Sequence, residues 1–241
     1  MQIHIFTLFP QMFVGPFGES IIARAVARGL LSIQFHNFRE HAHDRHHTVD
    51  DYQYGGGPGM VLKPEPLFES VESAVGSPPS CPVVLLTPQG KLFSQAHAKR
   101  FSAQPAIALI CGHYGGVDER IREHLATEEL SIGDYVLSGG ELAAMVVVDA
   151  VARLVPGVLG DEESAGEDSY ATGILQHPLY TRPAQFRDWP VPDVLLSGDH
   201  QAVAKWRRQQ ALLRTQQRRP DLLDNTPLTD EERRWLEEGK A

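Results

Sequence analysis

The chain has 241 residues, of which 42% are hydrophobic and 22% charged. This length can bury a substantial core, and the composition excludes wholesale disorder. A net charge of −9 and a pI near 5.6 exclude a globally basic nucleic-acid binder, so any nucleic-acid role has to rest on a local patch.

The N-terminus, MQIHIFTLFP, carries no Lys or Arg before its apolar residues and no small-residue cleavage site, so no signal peptide is expected. The longest apolar run, Leu142 to Val148, is far short of the roughly 20 residues that span a bilayer, and no membrane association is expected. The two cysteines, Cys81 and Cys111, fit neither a metal spacing nor a disulfide framework, which makes a reducing cytoplasm the default compartment.

Ile3–Phe9 reads as a strand, Glu19–Leu30 as a helix with Ile22, Ala25, Val26 and Leu30 near one face, and Leu31–Phe38 as an alternating strand. Between His41 and Asp51 the chain is rich in His and Asp. His41, His43, His46 and His47 have loop spacing, and no metal site is expected. The glycine run Gly55-Gly56-Gly57-Pro58-Gly59 that follows reads as a surface closing over a bulky substrate.

Val83–Pro88 and Ala106–Gly112 are continuous apolar runs, as in parallel strands buried on both faces. Ser94–Phe101 and Asp118–Ala126 read as helices, the latter with acids at its start. Glu141–Leu154 is apolar nearly all round, which predicts a buried helix ended by Pro156-Gly157. The alternation predicts an α/β domain with helices flanking a mainly parallel sheet.

Gly160–Gly173 is polar and acidic, with five acids and no base between Asp161 and Asp168, and reads as a linker or mobile loop. Beyond it the chain becomes proline-rich. Asp199–Arg219 and Thr229–Glu238 then read as helices, with Asp199 and Thr229 as N-caps and Glu232 completing a capping box. A small α-helical C-terminal domain is therefore expected.

Three glycine-bearing turns follow apolar strands: LLTPQG, ICGHYGG and SIGDYVLSGG. Ligands of open α/β sheets bind at the carboxyl ends of strands, and glycine admits a ligand close to the backbone, so the three turns could converge on one small molecule or serve only as tight turns. None matches a dinucleotide or P-loop fingerprint. Asp168 could serve as a general base on a closing loop, and Arg153 could stabilise charge developing on a substrate oxygen. From Ala202 to Pro220 there are six Lys/Arg and no acid. Arg207, Arg214 and Arg218 fall within about 40° of one another on the helix, while Val203, Trp206 and Leu213 mark a separate apolar face. The stripe is either a phosphate-contacting surface or an ordinary solvated face.

Together the motifs FTLFPQMF, TVDDYQYGGGPGM, LLTPQGK, CGHYGGVDER, SIGDYVLSGGEL, DAVARLVPGVLG, EDSY, LYTRP and LLSGDHQAVAKWR make the chain resemble, from end to end, the bacterial tRNA (guanine-N1)-methyltransferases of the knotted SPOUT class. The resemblance implies a deep trefoil knot, a homodimer with active sites shared between chains, and S-adenosylmethionine as methyl donor. It divides the chain into a donor-binding α/β domain at 1–159, a mobile acidic linker at 160–173 and a helical tRNA-binding domain at 174–241. The donor residues it implies are Leu86, Thr87, Pro88, Gly112, Tyr114, Ile132, Gly133, Asp134, Tyr135, Val136, Leu137, Gly139 and Gly140. Asp168 would take the N1 proton of the guanine at tRNA position 37, and Arg153 would stabilise charge moving onto O6. His46, Asp50, Gly57, Gly59, Arg207, Arg214 and Arg218 would face tRNA. One turn departs from the family's usual Arg-Tyr-Glu-Gly: it reads His113-Tyr114-Gly115-Gly116, without the glutamate. A knotted methyltransferase acting on another RNA and a non-catalytic RNA-binding homologue are the competing readings.

Overall fold

A computed structural model describes residues 1–160 and 166–238. The chain divides into two compact units, Met1–Gly160 and Asp161–Ala241.

The first unit is an α/β layer. Its elements run β1 (Gln2–Phe6), α1 (Val14–Phe17), α2 (Ser20–Ala27), β2 (Ser32–His36), β3 (Asp50–Tyr52), β4 (Met60–Leu62), α3 (Pro64–Val75), β5 (Val83–Leu92), α4 (Gln95–Ser102), β6 (Ala106–Cys111), α5 (Glu119–His124), β7 (Glu128–Ser131) and α6 (Glu141–Ala152). Five strands form one parallel sheet in the order β2-β1-β6-β5-β7. The apolar runs in β1, β5 and β6 lie centrally and are buried on both faces; β2, at the edge, is largely open. One core on the α2, α4 and α6 side is built on Ile3, Ile5, Phe101, Leu109 and Val147. The other, beneath α3 and α5, is built on Phe6, Leu62, Leu67, Leu85 and Ile110.

Local sequence explains the boundaries. Ser94 caps α4, and its hydroxyl and amide both engage His97. The Asp118 carboxylate accepts from Arg120 N at 3.0 Å and caps α5. Expected and observed ranges differ by a few residues at most helix ends, where caps outcompete periodicity. Several elements escaped the pattern reading. α3 begins at Pro64 and buries Leu67, Val71 and Val75 at helical spacing, a signal that was present. β7 reads Glu-Glu-Leu-Ser and offers no apolar run. β3 and β4 form a two-stranded antiparallel ribbon, and the glycine run is its tip, with Gly55, Gly56, Gly57 and Gly59 all at positive φ.

α6 corrects an expectation. It is not buried all round: Leu142, Val146, Asp149 and Arg153 form an exposed stripe at helical spacing, with Leu142 47% and Val146 46% exposed. Hydrophobicity around a helix reports how much of its face can be buried, and here the Leu142 and Val146 side of the helix is left open among the described residues of its own unit.

At the sheet edge His4 Nδ1 and His36 Nε2 lie 3.0 Å apart with their rings stacked. One ring must donate and the other accept, so the pair is held with one nitrogen unprotonated. Burial lowers both imidazoles below their ordinary value; His36 is lowered further by His4 and His41, against a raising effect of Glu40. A depressed folded-state value means that the unfolded chain takes up the proton first. The stability contribution is therefore present above about pH 6.5 and lost as pH falls below it. Urea unfolding at pH 7.5 and 5.5 should show a loss at the lower pH that is smaller in His36→Gln; an equal loss in that variant would remove the pair as its cause.

Among its described residues the second unit contains a short hairpin, β8 (Gln185–Phe186) and β9 (Trp189–Pro190), and the helices α7 (His200–Arg218) and α8 (Asp230–Glu238). Asp199 caps α7 through Gln201 N and Ala202 N, and Thr229 and Glu232 form the expected capping box. The buried face of α7 is Ala211, Leu212 and Thr215, packed with Ile174 and Leu236. The expected face of Val203, Trp206 and Leu213 is only partly buried, because the docking of α8 selects the neighbouring stripe. Among the described residues, no helix is long and apolar enough to cross a membrane.

Candidate functional site

The carboxyl ends of β5, β6 and β7 open into one cavity of about 870 Å³ in the first unit. Its walls are the three glycine-bearing turns. Of the residues expected to hold a donor, Leu86, Thr87, Pro88, Gly112, Tyr114, Ile132, Gly133, Tyr135, Val136, Leu137, Gly139 and Gly140 line it; Asp134 does not.

Backbone contacts hold the turns together. β5 pairs with β7 up to Leu86 opposite Leu130, leaves it, and rejoins at Lys91 opposite the same Leu130. At Gly90 a Cβ would stand 2.4 Å from Leu130 N and 2.6 Å from the Glu129 carbonyl carbon. Gly140 N donates to Gly112 O at 2.8 Å, and His113 and Gly139 form an isolated bridge. A Cβ on Gly140 would lie 2.7 Å from Cys111 Cα. These glycines are needed for backbone to pass backbone. The third turn is stiffened by the Ser131 hydroxyl, which donates to Gly133 O at 2.9 Å and accepts from Gly133 N at 3.2 Å.

Beneath the turns Glu141, 2% exposed, accepts from Thr7 Oγ1 at 2.7 Å across 134 residues of sequence. Burial pushes the Cys111 thiol well up, and the Glu141 charge adds to it. Both Cys81 and Cys111 are buried free thiols.

The cavity extends past the three turns into a polar lobe that sequence reasoning missed. Asp51, Tyr52, Gln53 and Tyr54 of the ribbon line it, with Lys63, Glu65, Asp118, Arg120 and Arg122. The Arg120 side-chain hydrogen bond holds Asp118 below the usual carboxylate range. Arg122 pairs with Glu129 at 3.1 Å and hydrogen-bonds Gln89 of the first turn. The signal was the Asp-Glu-Arg-Ile-Arg stretch of α5, which places Asp118 and Arg122 about one turn apart. At the departure from the family pattern, Gly115 N donates to Met60 O at 2.8 Å, and a Cβ there would lie 2.9 Å from the same oxygen. The ring of His113 packs between Phe9 and Tyr114.

The other expected residues lie elsewhere. His46, Asp50, Gly57 and Gly59 belong to the loop and ribbon before β4 and do not line the cavity. His43 pairs with Glu69 at 2.7 Å. Among the described residues, no group of three or more His, Cys, Asp or Glu is placed to hold a metal.

Arg153 is the exposed C-cap of α6. Asp168, in the second unit, is half-buried at the start of a run of turns in which Ala171 N donates to Asp168 O and Tyr170 N to Ile174 O. Residues 161–165 of the acidic stretch lie outside the described residues. The basic stripe is partly neutralised within its own unit. Lys205 pairs with Glu231, Arg208 with Glu232 and Arg219 with Asp221; Arg207 lies 3.9 Å from Glu167, and Arg214 donates to Gln176 O. Arg218 is exposed at the end of α7.

The arrangement fits a nucleoside-sized donor. Leu86, Ile132, Leu137 and Ala143 supply apolar walls, the turns present backbone amides and carbonyls, and the glycines admit close approach.

A family model described as tRNA (Guanine-1)-methyltransferase TrmD matches residues 1–225. A tRNA (guanine-N(1)-)-methyltransferase of Dehalococcoides mccartyi (strain ATCC BAA-2100 / JCM 16839 / KCTC 5957 / BAV1) is 55% identical over 239 residues, covering 99% of this chain and 96% of the relative. Proteins of the same description from Geobacillus kaustophilus (strain HTA426) and Anoxybacillus flavithermus (strain DSM 21510 / WK1) are each 55% identical, covering 99% and 100% of this chain and 98% of each relative.

Proposed function

The chain belongs to the tRNA (guanine-1)-methyltransferase family, and from that premise we propose that it methylates N1 of guanine at position 37 of tRNA, with S-adenosylmethionine as donor. The convergence of three glycine-bearing turns on one cavity carries the reading. Leu86, Thr87, Gly112, Tyr114, Ile132, Leu137, Gly139 and Gly140 would hold the donor, with Asp134 at the outer edge of the third turn. When bound, the donor supplies a methyl group already activated on a sulfonium.

The protein's own share is positioning and one proton transfer. Neutral guanine N1 carries a proton and is a poor nucleophile. Asp168 takes that proton, and Arg153 stabilises the negative charge that gathers on O6. The target base is extruded from its stack. The polar lobe lined by Asp51, Tyr54 and Arg120 would receive it. Arg207, Arg214 and Arg218 contact phosphates, and His46, Asp50, Gly57 and Gly59 present the ribbon side to tRNA.

The reading includes a deep trefoil knot in the N-terminal domain and a cytoplasmic homodimer whose active sites draw on both chains. The exposed apolar residues Leu142 and Val146 of α6 support a second copy packing there.

The test uses purified protein, methyl-labelled S-adenosylmethionine and two tRNA transcripts, one with G at position 37 preceded by G and one with A at 37. Label confined to the first and mapped to guanine N1 is the expected result. Donor binding without label in either transcript would reject tRNA position 37 as the target.

A further inference from the structure

We infer that the β8–β9 hairpin is a stacking platform for an unpaired nucleobase of the RNA substrate, an inference that rests on the function proposed above. Phe186 and Trp189 face each other across a two-residue turn, their ring centroids 6.0 Å apart and tilted by 48°. Both are open to solvent, Phe186 56% and Trp189 63% exposed. The turn residue Arg187 sits at φ +56, where glycine or asparagine is the ordinary choice. A longer side chain held in that conformation is strained, and such strain marks a position where the side chain is needed. The Arg187 guanidinium lies 5.2 Å from the Phe186 ring centroid and 5.5 Å from that of Trp189.

Two open aromatic faces with a cation fixed upon them match a nucleotide. Every base offers a π-face to stack, and the guanidinium meets its phosphate. Asp188 is the one acid of the hairpin, beside Arg187 in the turn. The segment carrying the hairpin is tied to the basic helix α7, since the Tyr180 and Trp206 rings lie 6.4 Å apart. An anionic single strand is thus favoured over a protein partner. Recognition by stacking tolerates any base, so the platform adds affinity and orientation, leaving the choice of guanine to the cavity.

The test measures the Kd of full-length protein for the tRNA transcript, for wild type, Trp189→Ala, Trp189→Phe and Arg187→Ala. Trp189→Ala should weaken binding about tenfold with donor binding unchanged, while Trp189→Phe, which keeps a ring, should retain most of the affinity. A short single-stranded RNA should quench a component of the tryptophan fluorescence that is absent in Trp189→Phe. This second readout stands even if the alanine variant folds poorly. Kd values within twofold of wild type, or no Trp189-dependent quenching, would overturn the platform. So would a change of oligomeric state in Trp189→Ala with tRNA affinity preserved, which would make the hairpin an interface between copies. Absence of methyl transfer by wild type on the same transcript defeats the proposed function; transfer with unaltered Kd in Trp189→Ala defeats only the platform.

Discussion

Asp168→Asn is expected to lower the rate of methyl transfer by about 10²- to 10⁴-fold, the range a positioned general base contributes. The amide has the shape of the carboxylate but cannot take up the N1 proton. Backbone hydrogen bonds help to hold the local frame: Ala171 N bonds the Asp168 backbone oxygen, and Ser169 Oγ accepts from Gln176 N at 3.0 Å. Donor and tRNA Kd values should therefore stay within about twofold, separating lost chemistry from lost binding. Single-turnover methylation with saturating donor and tRNA is the measurement. Near-wild-type turnover in the variant would move the base to another residue.

Gly90→Ala is expected to have the largest structural effect of any single methyl group added to the first unit. The new Cβ would meet Leu130 N at 2.4 Å, the Glu129 carbonyl carbon at 2.6 Å and the Leu130 carbonyl carbon at 2.7 Å. All three are backbone atoms of a paired strand, so no side chain can swing away. Overpacking of this kind costs about 1–3 kcal/mol, and more where backbone must move. The same displacement would spread the first and third turns, so donor affinity should fall together with the unfolding midpoint. Gly160→Ala is the control: nothing lies within 4 Å of its Cβ, and its effect should stay within about 0.5 kcal/mol. Chemical denaturation paired with donor titration reads both quantities. A Gly90→Ala protein as stable as the control would mean that β5 and β7 can part at little cost.

Much of the fold was legible because it is written locally. Asp118, Asp199 and the Thr229–Glu232 pair start helices through hydrogen bonds reaching three residues at most. The apolar runs of β5 and β6 announce central strands because both faces of such a strand must be buried. The acidic β7 was illegible for the complementary reason. Its place comes from pairing with β5, and of its four residues only Leu130 and Ser131 are buried. For the site, glycines after strands pointed to the three turns that line the cavity. Asp51, Tyr54 and Arg120 carried no such mark, since what brings them to the cavity is the docking of the ribbon, with Leu62 N bonded to Gly116 O and Asp118 N to Leu62 O.

By itself the sequence determined the alternation of strands and helices, the helical end of the chain, the three turns and the motifs that carry the family resemblance. These follow from side-chain periodicity, capping and glycine's freedom, all of which act over a few residues. Tertiary structure alone decided the order β2-β1-β6-β5-β7, the crossing of β5 past Leu130, the Thr7–Glu141 bond and the exposed stripe on α6. Each joins segments distant in sequence. Which distant surfaces meet depends on the shape and burial of the whole unit, a property that no local window of residues contains.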